Sequence, residues 1–386
     1  MNNSNVSSNC VNGSCKVGSG NVEQHFKEPT ELQVFSLILL GLVILTSLLG
    51  NILVIKALLE MIRKPFVYCL VTNLAVSELI NTICIPFAVS YLEMGTWVYG
   101  DFLCKIMIPM QVTSATVVTT TIAMISIRRF QIVTSRGMNF PSSRKGMWLV
   151  ILGIWVFGIA TSLPLFIFHQ VVRVSGPAST DYESLSFCVE RYPSDSPYEW
   201  PSKTSSRYSI ARIFLCFVAP VLIMIISYGA VTVNIKKHIR HIAKSARGRV
   251  DSMQSNTRAT DCNIDIRASS PPYPQMVPLR DIATRSQEDK TSSPARTEMK
   301  ALLDQESDLI RMFYIIIFIF IVFYLPFQIF YLLHLLRLVE EGKYGFFIRK
   351  YLLLLTCFPS ALHPLCYGTK SPFYAKAFKK LILCKR

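Results

Sequence analysis

Charge is scarce in this sequence. Only 17% of its 386 residues are Asp, Glu, Lys or Arg, against about 25% in an ordinary soluble chain, which excludes a globule that faces water on all sides. The scarcity is lopsided, with 24 acidic residues against 40 Lys and Arg and a formal net charge of +16. In a soluble chain that excess would point to nucleic acid. Here the cations sit in connectors between apolar runs, which points to membrane topology and to no nucleic-acid partner. Enzyme signatures are missing too. There is no Gly-rich phosphate loop, no metal-ligand cluster and no coherent Ser/His/Asp set, so no enzyme activity, metal or cofactor is expected. The start, MNNSNVSSNCVNGSCKV, lacks the basic and apolar regions of a cleavable signal, and the first span is expected to act as an uncleaved anchor.

What is present is length. Seven apolar runs, at about 33–57, 66–92, 101–128, 147–168, 209–235, 307–334 and 346–369, are long enough to span a bilayer. The fold class is therefore an all-α membrane protein, a seven-transmembrane helix bundle. Prolines inside the runs are compatible with kinked helices in a bundle. By connector, roughly 28 of the 40 Lys and Arg fall on the side of the C-terminus, which puts that end in the cytoplasm and the N-terminus outside. Asn2, Asn5 and Asn12 each open an N-x-Ser sequon, consistent with glycosylation of an outer tail. Cys10 and Cys15 either close a small disulfide loop or stay unpaired.

The expected organisation is an extracellular tail at 1–31, spans one to five with their loops at 32–238, and a third cytoplasmic loop at 239–303. Spans six and seven follow at 304–370, then an amphipathic helix and tail at 371–386. The third loop is rich in Ser, Thr, Pro and charge and is expected to be disordered. In the last segment, Phe373, Ala377, Phe378, Leu381 and Ile382 form one stripe and Lys376, Lys379 and Lys380 another, the pattern of a short eighth helix lying parallel to the membrane. Cys384 is a candidate for palmitoylation, with an unmodified thiol as the alternative.

The third run, Cys104 to Phe130, has no acidic residue and ends in Arg128-Arg129. As a helix it carries a cysteine at one membrane face and a pair of guanidiniums at the other. Together with Gly50-Asn51, Asn73-Leu-Ala-Val-Ser-Glu78, Trp97, Trp155, Pro220 with Tyr228, Tyr324-Leu-Pro326 and His363-Pro364-Leu-Cys-Tyr367, it resembles the rhodopsin-like (class A) G-protein-coupled receptors. The outer loop CIPFAVSYLEMGTWVYGDFLCKI is similar to neuropeptide receptors of the neuropeptide Y, neuropeptide FF, tachykinin and orexin kind.

The resemblance implies a plasma-membrane receptor for an extracellular ligand, a peptide above all. It further implies heterotrimeric G proteins as partners, with arrestin and receptor kinases beside them. It implies a Cys104–Cys188 disulfide. Gln111 stands where amine receptors carry an aspartate, and Cys357 where visual pigments carry a lysine, so neither a small amine nor retinal is expected. Gln111, Ser114, Tyr324, Phe327 and Gln328 are the ligand-binding candidates, with ordinary interhelical packing as the alternative, and Glu190 is the loop acid best placed for a basic peptide, with a solvated loop charge as the alternative. Arg129, with Glu306, Tyr228 and Tyr367, corresponds to the switch that frees the sixth helix to move. Arg128 replaces the family's acid, and either repels Arg129 or snorkels to headgroups. Asn51, Glu78 and His363 form the buried polar core. Val118 replaces a sodium-binding serine, so a Glu78–His363 pair is expected in place of sodium, with a neutral water-mediated bond as the alternative. Other readings are a receptor for a non-peptide ligand, a signalling-silent decoy, or a transporter. A transporter would need internal repeats and several embedded charges.

Overall fold

In this computed structural model the described residues are 9–11, 14–16, 28–59, 66–134, 144–175, 185–193, 202–234, 237, 240, 293–339 and 343–383, with the backbone alone for 9–11, 14–16, 133, 144, 174, 175, 293–309, 343, 372, 381 and 382. Among them, seven helical segments are long and apolar enough to cross a membrane. They comprise α1 (Thr30–Leu59), α2 (Phe66–Met94), α3 (Gly100–Thr134), α4 (Arg144–Phe168) and α5 (Lys203–Asn234), then α6 (Ser293–Leu335) and a broken seventh. Large apolar side chains such as Leu42, Leu152, Ile226 and Phe318 are exposed, which only a lipid surround makes favourable.

The centre of the bundle is α3, with 61% of its apolar window buried against 22–50% for the others. It is also the span richest in hydroxyls. Thr113, Thr116, Thr119, Thr120, Thr121 and Ser126 each donate to the carbonyl four residues earlier. Each hydroxyl is thereby satisfied on its own helix, which lets a polar sequence sit at the core of an apolar bundle. Around it a continuous core runs through Leu70, Leu74, Val118, Ile122, Met224, Phe313 and Phe320.

Two of the proline-containing helices are interrupted. The seventh breaks at Thr356-Cys357 into α7 (Lys343–Leu355) and α8 (Phe358–Lys370). Pro359 at the start of α8 has no amide hydrogen to continue the ladder, and the Thr356 hydroxyl caps the Leu353 carbonyl at 2.6 Å. In α5 a π turn at Phe214–Val218 precedes Pro220, where the missing donor makes the extra residue cheap. The sixth helix begins at Ser293, inside the stretch expected to be loop.

α9 (Pro372–Ile382) has the expected two faces. Tyr374 is fully buried and packs against Tyr68 and Tyr367, while Lys376 and Lys379 are exposed. At the opposite end of the bundle lies an unforeseen sheet of order β1-β2-β3-β4. It comprises β1 (Asn9–Val11), β2 (Ser14–Lys16), β3 (His169–Ser175) and β4 (Leu185–Glu190). β3 and β4 form an antiparallel hairpin, and β2 joins it in parallel with Cys15 opposite Val174. In the β1–β2 register Cys10 stands opposite Cys15.

Candidate functional site

The disulfide end is built outward from Trp97. Its ring is 2% exposed and its Nε1 donates to the Gly100 carbonyl at 2.8 Å. Gly95, at φ 66°, makes the left-handed turn that ends α2 and brings this loop round. The Trp97 amide donates to the Ser186 carbonyl, and the Ser186 amide to Thr96 Oγ1. Cys104 and Cys188 are joined by a disulfide buried against Trp97. Asp101 accepts from the Val171 amide at 3.1 Å. The β3–β4 hairpin is thus fixed to the top of α3 by a covalent bond and a set of hydrogen bonds. Beside it a cleft of about 470 Å³ is lined by Lys105, His169, Gln170, Arg191 and Tyr192, among others.

Of the ligand candidates, Gln111 and Gln328 are half-buried and make no hydrogen bond among the described residues. Phe327 stacks on Tyr331 with ring centroids 5.9 Å apart. Ser114 is fully buried and its hydroxyl donates to the Gln111 carbonyl, so it is committed to its own helix. Tyr324 is buried and stacked on Phe320 at 4.7 Å. Glu190 is 8% exposed. One of its oxygens accepts from Ser205 Oγ at 2.8 Å and the other from Tyr192 OH. It ties β4 to α5.

Halfway down, Glu78 and His363 meet. His363 Nδ1 lies 2.8 Å from Glu78 Oε1, and both side chains are 1% exposed. Glu78 Oε2 and His363 Nε2 have no hydrogen-bond partner. Asn51 donates to the Ser47 and Ser360 carbonyls at 2.9 and 3.0 Å, stitching α1 to α8. Asn73 donates to Thr121 Oγ1 and accepts from Trp155 Nε1, each at 2.8 Å, stitching α2 to α3 and α4.

At the far end Arg129 is 3% exposed, with its guanidinium carbon 5.7 Å from the centre of the Phe313 ring. Arg128 beside it is half-buried. Tyr228 packs edge-on against Tyr314 at 4.7 Å, and the Tyr228 and Tyr367 hydroxyls are buried without a hydrogen-bond partner. The Glu306 side chain lies outside the described residues, as do Asn2, Asn5, Asn12 and Cys384.

Two charged groups escaped the sequence reasoning. Lys350 on α7, 3% exposed, lies 2.5 Å from Glu28 Oε2 and 2.7 Å from Glu93 Oε1. Tyr351 OH donates to Glu28, and Gln33 Nε2 to Glu93 at 2.9 Å. Arg212 on α5 is half-buried, and its Nε is buried without a partner. Each cation stands inside an apolar run, the signal that marks an embedded functional or structural charge.

A model of the 7 transmembrane receptor (rhodopsin family) matches residues 50–367. The chain is 29% identical over 221 residues to neuropeptide Y receptor type 6 of Oryctolagus cuniculus, covering 55% of this chain and 57% of that one. It is 26% identical to neuropeptide Y receptor type 2 of Cavia porcellus, over 54% of each chain. To neuropeptide Y receptor type 5 of Rattus norvegicus it is 27% identical, over 55% of this chain and 46% of that one. The chain spans about half the length of the curated relatives it matches.

Proposed function

Since the chain belongs to the rhodopsin family of seven-transmembrane receptors, a multi-pass membrane receptor and not an enzyme, we propose that it binds an extracellular neuropeptide at its disulfide end and activates heterotrimeric G proteins at the other. The N-terminus is then outside and the α9 end cytoplasmic. The observation that carries the ligand class is the pair of unengaged amides, Gln111 on α3 and Gln328 on α6. Half-buried amides without partners fit a hydrogen-bonding ligand such as a peptide backbone. Phe327 and Tyr331 supply an aromatic wall beside them. Neuropeptide Y receptors among the relatives support the same class.

Signalling follows from Arg129. It pairs with Glu306 on α6 in the resting receptor, and ligand binding releases α6 to move outward, a helix-shift switch. Arg128 adds a like charge at that point, so the restraint lies between helices rather than within α3. Arrestin and receptor kinases would act on the serine-rich third loop.

The test is a screen of neuropeptides, each supplied as amide and as free acid, on cells expressing the chain with a promiscuous G protein. Calcium and cyclic AMP are read. A saturable response to one peptide is expected. Silence throughout, with the receptor at the surface, favours the decoy, a reading that Arg128 beside Arg129 keeps in view. Reversing Glu306→Lys should raise ligand-free signalling, and unchanged basal activity in a well-expressed variant would sink the switch.

A further inference from the structure

The described carboxylates near the disulfide end are almost all spoken for, whereas a buried donor on α5 is not, the opposite of what a receptor for basic peptides would show. Glu28 and Glu93 share Lys350. Asp101 pairs with Lys105 at 2.6 Å. Glu190 accepts from Ser205 and Tyr192. Among the described carboxylates of this end, only Glu31 has no such partner, and it is exposed on the first turn of α1. Arg212 is the converse case. Its Nε is buried with no hydrogen-bond partner, and no described carboxylate lies within ion-pair distance of its guanidinium.

Its position makes that vacancy of partners informative. Arg212 stands nine residues into α5 and Gln111 eleven residues into α3, or about 13 and 16 Å below their respective starts at 1.5 Å per residue. Each thus lies about two and a half to three turns into its helix. Tyr208, one turn above Arg212, is turned to α4, where its hydroxyl donates to the Thr161 carbonyl at 2.6 Å. Tyr331 on α6 reaches Ser209 Oγ at 3.3 Å, which closes α6 against the turn of α5 just above. His169, which feels the Arg212 cation, is held neutral by burial and by that charge, its pKa lowered to about 4, so it does not dilute the need for an anion. The cleft at the same end is lined by Arg191 and by Lys105, which Asp101 already pairs, so Arg191 is the cation there left to favour an approaching anion.

A guanidinium whose buried Nε finds no acceptor is costly, and its planar fork of donors is best matched by a carboxylate. We propose that Arg212 anchors a carboxylate of the ligand, either the free C-terminus or an acidic side chain of the peptide. This rests on the peptide-receptor reading above and specifies its chemistry: the charged end of the ligand is acidic, and Glu190 is scaffold rather than a docking point for a basic peptide.

The experiment uses purified full-length chain in detergent and N-acetylated tripeptides without acidic side chains, each as free acid and as amide. Thermal unfolding is followed as each probe is titrated to millimolar concentration. The free acids should raise the melting temperature at concentrations roughly tenfold lower than the amides. Arg212→Gln should erase that difference, and Arg212→Lys should keep part of it. Equal stabilisation by acid and amide, or a difference that survives Arg212→Gln, overturns the proposal. So does the absence of any shift with every probe. The signalling screen is read separately. Acid-selective stabilisation without any cellular response would leave the Arg212 site standing and count against signalling. A response that prefers amides, and is untouched by Arg212→Gln, would do the reverse.

Discussion

Two buried ionic groups among the described residues are built on different terms. Midway down, Glu78 on α2 faces His363 on α8, one acid and one base, both 1% exposed. At the disulfide end, Lys350 on α7 serves two carboxylates, Glu28 and Glu93, with side chains 3%, 6% and 10% exposed. The first can reach neutrality by moving one proton between its members. The second carries one negative charge too many and draws on hydrogen bonds from Tyr351 and Gln33 to hold it. It also gathers residues from the stretch before α1, the end of α2 and the start of α7. The mid-bundle pair couples two spans. The end cluster fastens the N-terminal approach to the bundle.

The largest effect expected follows from that charge ratio. Replacing Lys350→Met leaves Glu28 and Glu93 buried without a cation, and breaking a buried ion pair in this way costs about 3–5 kcal/mol. It should appear as a large drop in the thermal midpoint of purified receptor and in surface expression. Glu28→Gln removes the excess charge and leaves Glu93 with Lys350, so it should be close to neutral. Equal losses for the two variants would show that the cluster does not behave as two acids on one base, and the comparison would break.

Next comes the mid-bundle pair. Glu78→Gln or His363→Asn alone strands one partner, at a cost of about 3 kcal/mol. The double variant should recover much of it, with a coupling of about 1–3 kcal/mol in the cycle. Replacing sodium by a large organic cation at constant ionic strength should leave ligand affinity unchanged, because His363 Nδ1 already occupies Glu78 Oε1 at 2.8 Å. A marked sodium effect would return the site to the usual ion-binding kind.

The difference in legibility between these groups has a physical cause. Glu78 and His363 stand where the resembled family places its sodium site, so the resemblance let the two embedded polar residues be paired on paper. Glu28, Glu93 and Lys350 meet only through the course of three chain ends, which hydropathy leaves open. Lys350 itself was visible inside an apolar run, but its partners were not. Glu190 shows the same limit from the other side. Its place beside Cys188 was correct, yet nothing in the sequence said that Ser205 and Tyr192 would take both of its oxygens. The seven spans, by contrast, needed only run length and the lipid-facing apolar surface.

Acid pH separates the two ends further. His169, at the start of β3, is neutral because burial and Arg212 hold its pKa at about 4, below the usual value of 6.5. The unfolded chain therefore binds the extra proton first. The stability that His169 contributes is complete above about pH 6.5 and is lost as pH falls toward 4, by at most about 3 kcal/mol. Thermal midpoints measured between pH 7 and 4.5 should fall less steeply in His169→Gln. A parallel slope in the variant would place the acid sensitivity elsewhere.

The smallest effect tests whether the mid-bundle pair depends on close helix contact. Gly50 lets α1 approach α8 so tightly that an added Cβ would sit 2.6 Å from the Cβ of Pro364. Pro364 is ring-locked backbone and cannot swing aside. Gly50→Ala must therefore part the two helices, at about 1–3 kcal/mol for overpacking. Since His363 immediately precedes Pro364, the displacement should reach the Glu78 contact and weaken it. Lys350 lies on α7, across the break at Thr356-Cys357, and should not feel it. The expected result is a smaller Glu78–His363 coupling in the Gly50→Ala background and an undiminished loss on Lys350→Met. If both interactions weaken together, α7 and α8 move as one body. The break would then be only a bend, and the two ionic groups would not be independent.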